Sequence, residues 1–266
     1  MQERNTGVDE GGGQALGRPL TARSVVASVL LGMRTPELSG QRLVRTAELF
    51  GLAEGTTRVA LSRMVSSGEL VASEGRYRLA GALLDRQARQ QGSRRPALTD
   101  WDGAWVVAVV ERAGPRPPGA RVELRRALVA ARLAEWREGV WARPANLVMG
   151  EGDPACTWLA ARLGDRAAGK GLAERLWDLD GWKARADRLR ERMSSTIGDL
   201  EARHTDALAP CFITAAAVVR QIHNDPLLPG DLLPPRWPGQ SLRAEYDRYE
   251  EAYQALLRAF LTGLDR

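Results

Sequence analysis

The chain has 266 residues, 44% hydrophobic and 27% charged, with a formal net charge of +5 and a pI of about 9.7. That length can bury one large core or two to three small ones, and the composition excludes a disordered, collagen-like or disulfide-stapled chain. A mildly basic balance suits nucleic acid or an anionic small molecule and does not decide between them.

Only two of the 38 lysines and arginines are Lys, at Lys170 and Lys183. Codon bias of a GC-rich genome is the first reading. A supply of guanidinium forks for phosphate and guanine edges is the second, and it needs positional support. Cys156 and Cys211 are too few for a disulfide framework, so reduced thiols in a cytoplasmic protein are expected.

Residues 1–19 carry Glu3, Asp9, Glu10 and the Gly11–Gly13 run, with no apolar core, and read as a disordered tail and not a signal peptide. The apolar stretch Val25–Leu31 is too short to span a bilayer, so no membrane association is expected. A first helix is predicted from Thr21 to about Arg34, capped by Thr21, with Val25, Val26, Val29 and Leu30 inward and Pro36 as its stop. A second is predicted from Ser39 to Phe50, with Leu43, Val44, Ala47 and Phe50 inward. Gly51-Leu52-Ala53 forms a short turn, and a third helix runs from Glu54 to Ser67, ended by Gly68. Helix, short Gly turn and helix make a helix-turn-helix pattern.

At 100° per residue, Thr57, Leu61, Met64 and Val65 share the inward side of the third helix. Thr56, Val59, Ser62, Arg63 and Ser66 point outward, with Arg58 on the flank and no acid after Glu54. An outer face that is short, polar and cationic fits the DNA major groove, where Arg can bond bidentately to guanine. Residues 69–79 then read as two strands around a Glu74-Gly75 turn. Period 2 puts Tyr77 and Leu79 on one side and Arg76 and Arg78 on the other, where they would grip phosphate or enter the minor groove. Residues 38–80 carry a net charge of only +2, so placement matters more than total charge.

Residues 81–99 read as a helix tail and linker ending near Pro96. Beyond it, Ala104–Glu111 is a buried strand, Arg121–Arg132 a helix with Val122, Leu124, Leu128 and Ala131 on one broad face, and Trp136 and Val140–Arg143 strands around Gly139. Thr157–Leu163 is strand or helix. The order is strand, helix, strand, strand and one more element, with an irregular loop at Gly114–Gly119. A long helix is predicted over 181–209, with Trp182, Ala186, Leu189, Met193, Ile197 and Leu200 as an apolar stripe that suits core packing or a dimer seam. The loop 227–238 is expected to bury its leucines and Trp237.

Five short motifs in order resemble the PaaX-like family of phenylacetate-catabolism repressors. They are Gly51–Met64, Trp101-Asp102-Gly103-Ala104-Trp105, Gly139-Val140-Trp141-Ala142-Arg143-Pro144, Leu176-Trp177-Asp178-Leu179 and Asn224-Asp225-Pro226-Leu227-Leu228-Pro229. The resemblance implies an α+β, mostly helical protein. It comprises a winged helix-turn-helix DNA-binding domain (20–80), a central ferredoxin-like domain (100–165) related to small CRISPR-associated nucleases, and a C-terminal helical domain (166–266). It also implies a homodimer on a palindromic double-stranded DNA operator, released by an acyl-coenzyme A or aromatic acid effector. Ala53 departs from the family, which often has a capping Ser or Asn there.

Eight tryptophans stand beside three phenylalanines. A pocket lined by Trp105, Trp141 and Arg143 is the candidate effector site, since indole rings can stack an aromatic acyl group. His204, His223 and the two cysteines are too scattered for a metal motif, and no cofactor or catalytic residue is expected. Two alternatives stand beside the regulator. One is a metal-dependent nuclease built on the central fold, for which Asp102 is the nearest carboxylate, although its flanking Trp101 and Gly103 suit a turn. The other is a non-catalytic protein-interaction module.

Overall fold

A computed structural model of the chain describes residues 20–33, 35–94, 96–111 and 118–263. The expected N-terminal tail and most of the loop expected at Gly114–Gly119 lie outside them. The protein is α+β and mostly helical, with two small antiparallel sheets among the described residues. It forms two compact units. The first holds the described residues up to Arg94, with Ala186–His223 and those from Gly239 on; the second holds Arg95–Arg185 and Asn224–Pro238.

The first unit begins with α1 (Ala22–Gly32). Thr21 caps it as expected: its hydroxyl accepts from Ser24 N, and Ser24 reciprocates, so two otherwise unpaired N–H groups are satisfied. A three-residue strand absent from the sequence reading, β1 (Glu37–Ser39), precedes α2 (Gly40–Glu48) and α3 (Glu54–Ser66). Strands β2 (Leu70–Ser73) and β3 (Arg76–Leu79) follow, and the sheet order is β1-β3-β2. Helix α4 (Gly81–Arg94) leaves this head.

The β2–β3 connection is a two-residue loop with Glu74 at φ 50° and Gly75 at φ 72°. Positive φ at both central residues matches the right-handed twist of the flanking strands, which is why Gly is needed there. Gly40 donates its N–H to Gly75 O at 2.9 Å, and a Cβ on Gly40 would stand 2.9 Å from the Tyr77 ring. The start of α2 and the hairpin therefore meet backbone to backbone.

The head is packed within its unit on α8 (Leu208–His223) and α9 (Gly239–Gly263), with α7 (Leu179–Glu201) beside them from Ala186 on. Phe50, expected inside α2, instead follows it in the turn and meets Phe212 edge-on at 4.8 Å. Gln254 donates to Gly32 O at 3.0 Å, and Gln87 to Leu31 O and Met33 O at 3.3 and 3.2 Å. Arg94 pairs with Asp247 and Glu250 and lies over the Tyr246 ring at 5.0 Å. The long helix ends earlier than predicted, because Arg203 turns to φ 61° and a short 3-10 turn (Thr205–Ala207) intervenes before α8.

The second unit holds β4 (Ala104–Val110), α5 (Pro118–Ala130), β5 (Ala134–Arg137), β6 (Val140–Pro144), β7 (Cys156–Arg162) and α6 (Arg166–Leu176). The sheet order is β5-β6-β4-β7, all antiparallel. The ambiguous segment at Thr157–Leu163 is thus a strand. Val122, expected inward on α5, is 50% exposed, while Leu124 and Leu128 are buried.

Two separate cores cover the two faces of this sheet. Arg143 is fully buried between β6 and the loop at Leu227. Its guanidinium donates to Pro144 O at 2.9 Å, Asn146 Oδ1 at 2.9 Å, and Ala131 O and Leu227 O at 3.4 Å; Asn146 Nδ2 also donates to Leu227 O at 2.9 Å. Burial, with the Arg132 charge adding to it, pushes the Arg143 pKa down to about 10, which leaves it charged at neutral pH. Leu227 itself sits at φ 54°, held by Asp225, which accepts its N–H at 3.0 Å. Leu227, Leu228 and Leu232 of this loop are buried as expected, while Leu233 and Trp237 are half-buried, and Trp237 stacks on Trp182 at 4.4 Å.

All eight tryptophans lie in the second unit, so their fluorescence reports on it alone. Arg143→Met removes donors from several buried carbonyls at once and should destabilise this unit by about 2–4 kcal/mol. The check is the denaturant midpoint followed by tryptophan emission; a midpoint equal to wild type would show that Arg143 is not holding the loop.

Candidate nucleic-acid interface

Helix α3 is built from a core side and an outer side. Thr57, Leu61 and Met64 are buried against the other helices. Val65, expected among them, is instead 36% exposed, because it lies at the edge of the buried arc next to Arg58. Thr56, Arg58, Val59, Ser62 and Arg63 are all exposed. Val59 is 51% exposed, a large apolar side chain facing outward from a polar helix surface.

The start of the helix is open. Ala53 occupies the N-cap with extended φ/ψ and offers no side-chain acceptor. The first-turn N–H groups of α3 therefore keep their positive end unsatisfied by a cap. A cleft of about 740 Å³ runs between the start of α1 and the flank of α3, and Ala22, Thr56, Val59, Arg63 and Met64 are among its lining. Across it, Arg23 pairs with Glu69 and ties α1 to the residue before β2. That bond raises the Arg23 pKa and lowers that of Glu69, the Arg–Glu hydrogen bond being the main cause for both.

On the hairpin, Arg76 and Arg78 are exposed, Leu79 is buried and Tyr77 is half-buried, the alternation expected of a strand with one covered face. The arginines of this surface are of two kinds. Arg58 Nε bonds Glu54 Oε1 at 2.7 Å, and Arg76 Nε bonds Glu37 Oε1. The side chains of Arg63 and Arg78 have no acidic partner among the described residues. The acid Glu37 was missed in the sequence reading, because β1 was missed; an alternating Glu-Leu-Ser triplet just after Pro36 is a weak signal.

The three candidate effector residues are not brought together. Trp105 pairs in register with Pro144, and Trp141 with Ala108. Residues 105 and 108 are an odd number of positions apart on β4, so the two indoles occupy opposite faces of the sheet. Each is buried in its own core, and Arg143 serves the Leu227 loop. Of the three, Trp105 alone is among the residues lining a second cleft, of about 390 Å³, with Trp101, Asp102, Arg162, Gly169 and Asp231. Asp102 accepts from Ala104 N at 3.0 Å and pairs with Arg162, which makes it a turn former. Among the described residues no group of three or more His, Cys, Asp or Glu is placed to hold a metal ion. No helix there is long and apolar enough to cross a membrane.

Two family models match the chain: PaaX-like protein over residues 21–83, and PaaX-like protein C-terminal domain over residues 177–263. No protein of curated function matches it. Among solved structures, the uncharacterized protein Rv0674 from Mycobacterium tuberculosis is 40% identical, with 90% of this chain and 98% of that one covered and a TM-score of 0.69. The chain belongs to the PaaX-like family. Membership points to a transcriptional regulator and not to a catalyst.

The bare N-cap generates a test of its own. Ala53→Ser should supply the missing acceptor and raise stability by about 1 kcal/mol. The first unit lacks tryptophan, so the shift is read by helical circular dichroism on heating. No gain would show that the N-terminal amides of α3 are already satisfied.

Proposed function

We propose that this protein is a sequence-specific, DNA-binding transcriptional repressor that acts as a homodimer on a palindromic operator. The first unit's head is a winged helix-turn-helix, with α3 as the recognition helix and the β2–β3 hairpin as the wing. The order helix, strand, helix, helix, hairpin, with β1 returning beside β3, supports that reading. The observation that carries it is an outward face of α3 free of acids after Glu54 and bearing the unpaired Arg63, followed in the chain by a hairpin that exposes the unpaired Arg78. Such a helix fits a major groove, and such a hairpin fits the phosphates or minor groove beside it.

The second unit has the strand order of a ferredoxin-like sheet, reached by β-α-β-β-β. It departs from that fold in having no helix between β6 and β7; α6 follows β7 instead. Family resemblance supports release from DNA by an acyl-coenzyme A or aromatic acid effector. Such a ligand acts by favouring a dimer whose two recognition helices no longer match the half-site spacing.

Selection of duplexes from a random pool should return a palindrome with half-sites about one helical turn, or a multiple of it, apart. Arg63→Ala should weaken operator binding by about 10-fold or more while sparing random duplex, as loss of a bidentate base contact does. Arg78→Ala, which removes the hairpin arginine that has no acid beside it, should weaken both and lower the salt slope by about one. Failure to select any site, or operator affinity unchanged in Arg63→Ala, would overturn the assignment of α3.

A further inference from the structure

We infer that Glu37 and Glu54 are negative determinants of DNA affinity: each occupies one arginine of the proposed interface and so limits sequence-independent binding. The inference rests on the repressor reading above and adds residues that no base contact would reveal.

The geometry is the same on two separate elements. On α3, Glu54 lies one turn before Arg58 and accepts its Nε at 2.7 Å. On the sheet, Glu37 of β1 stands directly opposite Arg78 of β3 yet bonds diagonally to Arg76. Antiparallel partners share a face, so Glu37 sits on the same side as both hairpin arginines. Neither pair is needed to anchor the fold. Arg58 and Glu54 are 62% and 55% exposed, and Arg76 is 51% exposed with Glu37 at 30%. Exposed pairs of this kind add little stability. By contrast, Arg94 and Glu250, which join α4 to α9, are more deeply buried.

The consequence concerns phosphate. Sequence-independent affinity comes almost wholly from neutralised phosphates, and each one adds about 0.9 to the salt slope. A phosphate approaching Arg58 or Arg76 must displace a carboxylate that is tethered close by and then repels it. Of the three exposed arginines placed for phosphate, Arg58, Arg76 and Arg78, only Arg78 is therefore free toward random DNA. The acids leave base reading by Arg63 untouched, because neither bonds it.

The test measures binding of the full chain to a short random-sequence duplex across a salt series, for wild type, Glu37→Gln, Glu54→Gln, Arg76→Gln and Glu37→Gln combined with Arg76→Gln. Each single acid substitution should tighten random-duplex binding by roughly 3- to 10-fold and steepen the salt slope by about one, the value for one added phosphate contact. In the Arg76→Gln background, Glu37→Gln should lose that gain. Unchanged affinity and slope in both acid variants, at unchanged melting temperature, overturns the inference. A gain that survives intact without Arg76 overturns it too, because the acid would then act through the general field. Wild-type binding with unmoved variants defeats this inference alone, whereas a wild-type chain that binds no duplex defeats the repressor reading and this inference together.

Discussion

The central position of β3 in the first sheet is the constraint on which the candidate surface depends. Between β1 and β2, β3 has both of its edges hydrogen-bonded, so its alternation is fixed and cannot slip. A one-residue slip would turn Tyr77 and Leu79 to solvent and bury Arg76 and Arg78. Two local features hold the register. The Glu74-Gly75 loop closes the hairpin with positive φ at both positions, and Gly40 brings the start of α2 within hydrogen-bonding distance of Gly75. The absence of a side chain at Gly40 thus sets where the hairpin stands relative to the helices, and through β1 it also sets where Glu37 stands relative to Arg76.

A second consequence follows from how the head is held. Its contacts with the C-terminal helices are of three physical kinds: an aromatic edge-on pair at Phe50 and Phe212, the amide side chain of Gln254 bonding the end of α1, and a charged cluster in which Arg94 of α4 meets Asp247 and Glu250 over Tyr246. Burial raises the Glu250 pKa against the pull of Arg94, and it raises that of Tyr246 strongly. The two segments that match PaaX-like models, 21–83 and 177–263, therefore share one packed unit over much of their length. Helices α8 and α9 thus meet the first part of the chain through packed side chains, at Phe50, Gly32 and Arg94.

Much of this was legible from residue order. Helices α1 to α3 follow from apolar spacing, Thr21 and Gly51, and the hairpin follows from Glu74-Gly75. The strands β4, β6 and β7 follow from β-branched or apolar runs, although length alone could not separate strand from helix at 156–162. What escaped was decided by partners distant in the chain. A three-residue strand such as Glu37–Ser39 has no periodicity of its own and exists because β3 pairs with it. Phe50 looked like the last inward residue of a helix, but its partner Phe212 lies far along the sequence. Trp105, Trp141 and Arg143 looked like one pocket because the register of β4 against β6 is invisible in sequence, and that register sends the two indoles to opposite faces.

Arg143 shows how a site residue and a fold residue can be confused. In sequence, an arginine beside a tryptophan suggests anion or aromatic-acid recognition. In the structure its donors go to carbonyl oxygens, chiefly of the Leu227 loop and β6, with Asn146 bonding the same Leu227 carbonyl. A guanidinium suits this role better than an ammonium, because its planar fork can satisfy several fixed carbonyls at once. The two motifs that carry much of the family resemblance, Gly139–Pro144 and Asn224–Pro229, are thus two halves of one buried hydrogen-bond network within the second unit. Packing accounts for their joint presence in the chain. In the proposed repressor reading, the arginines that bear on DNA are instead those whose charge stays at the surface, and among these the outcome depends on which have an acid beside them.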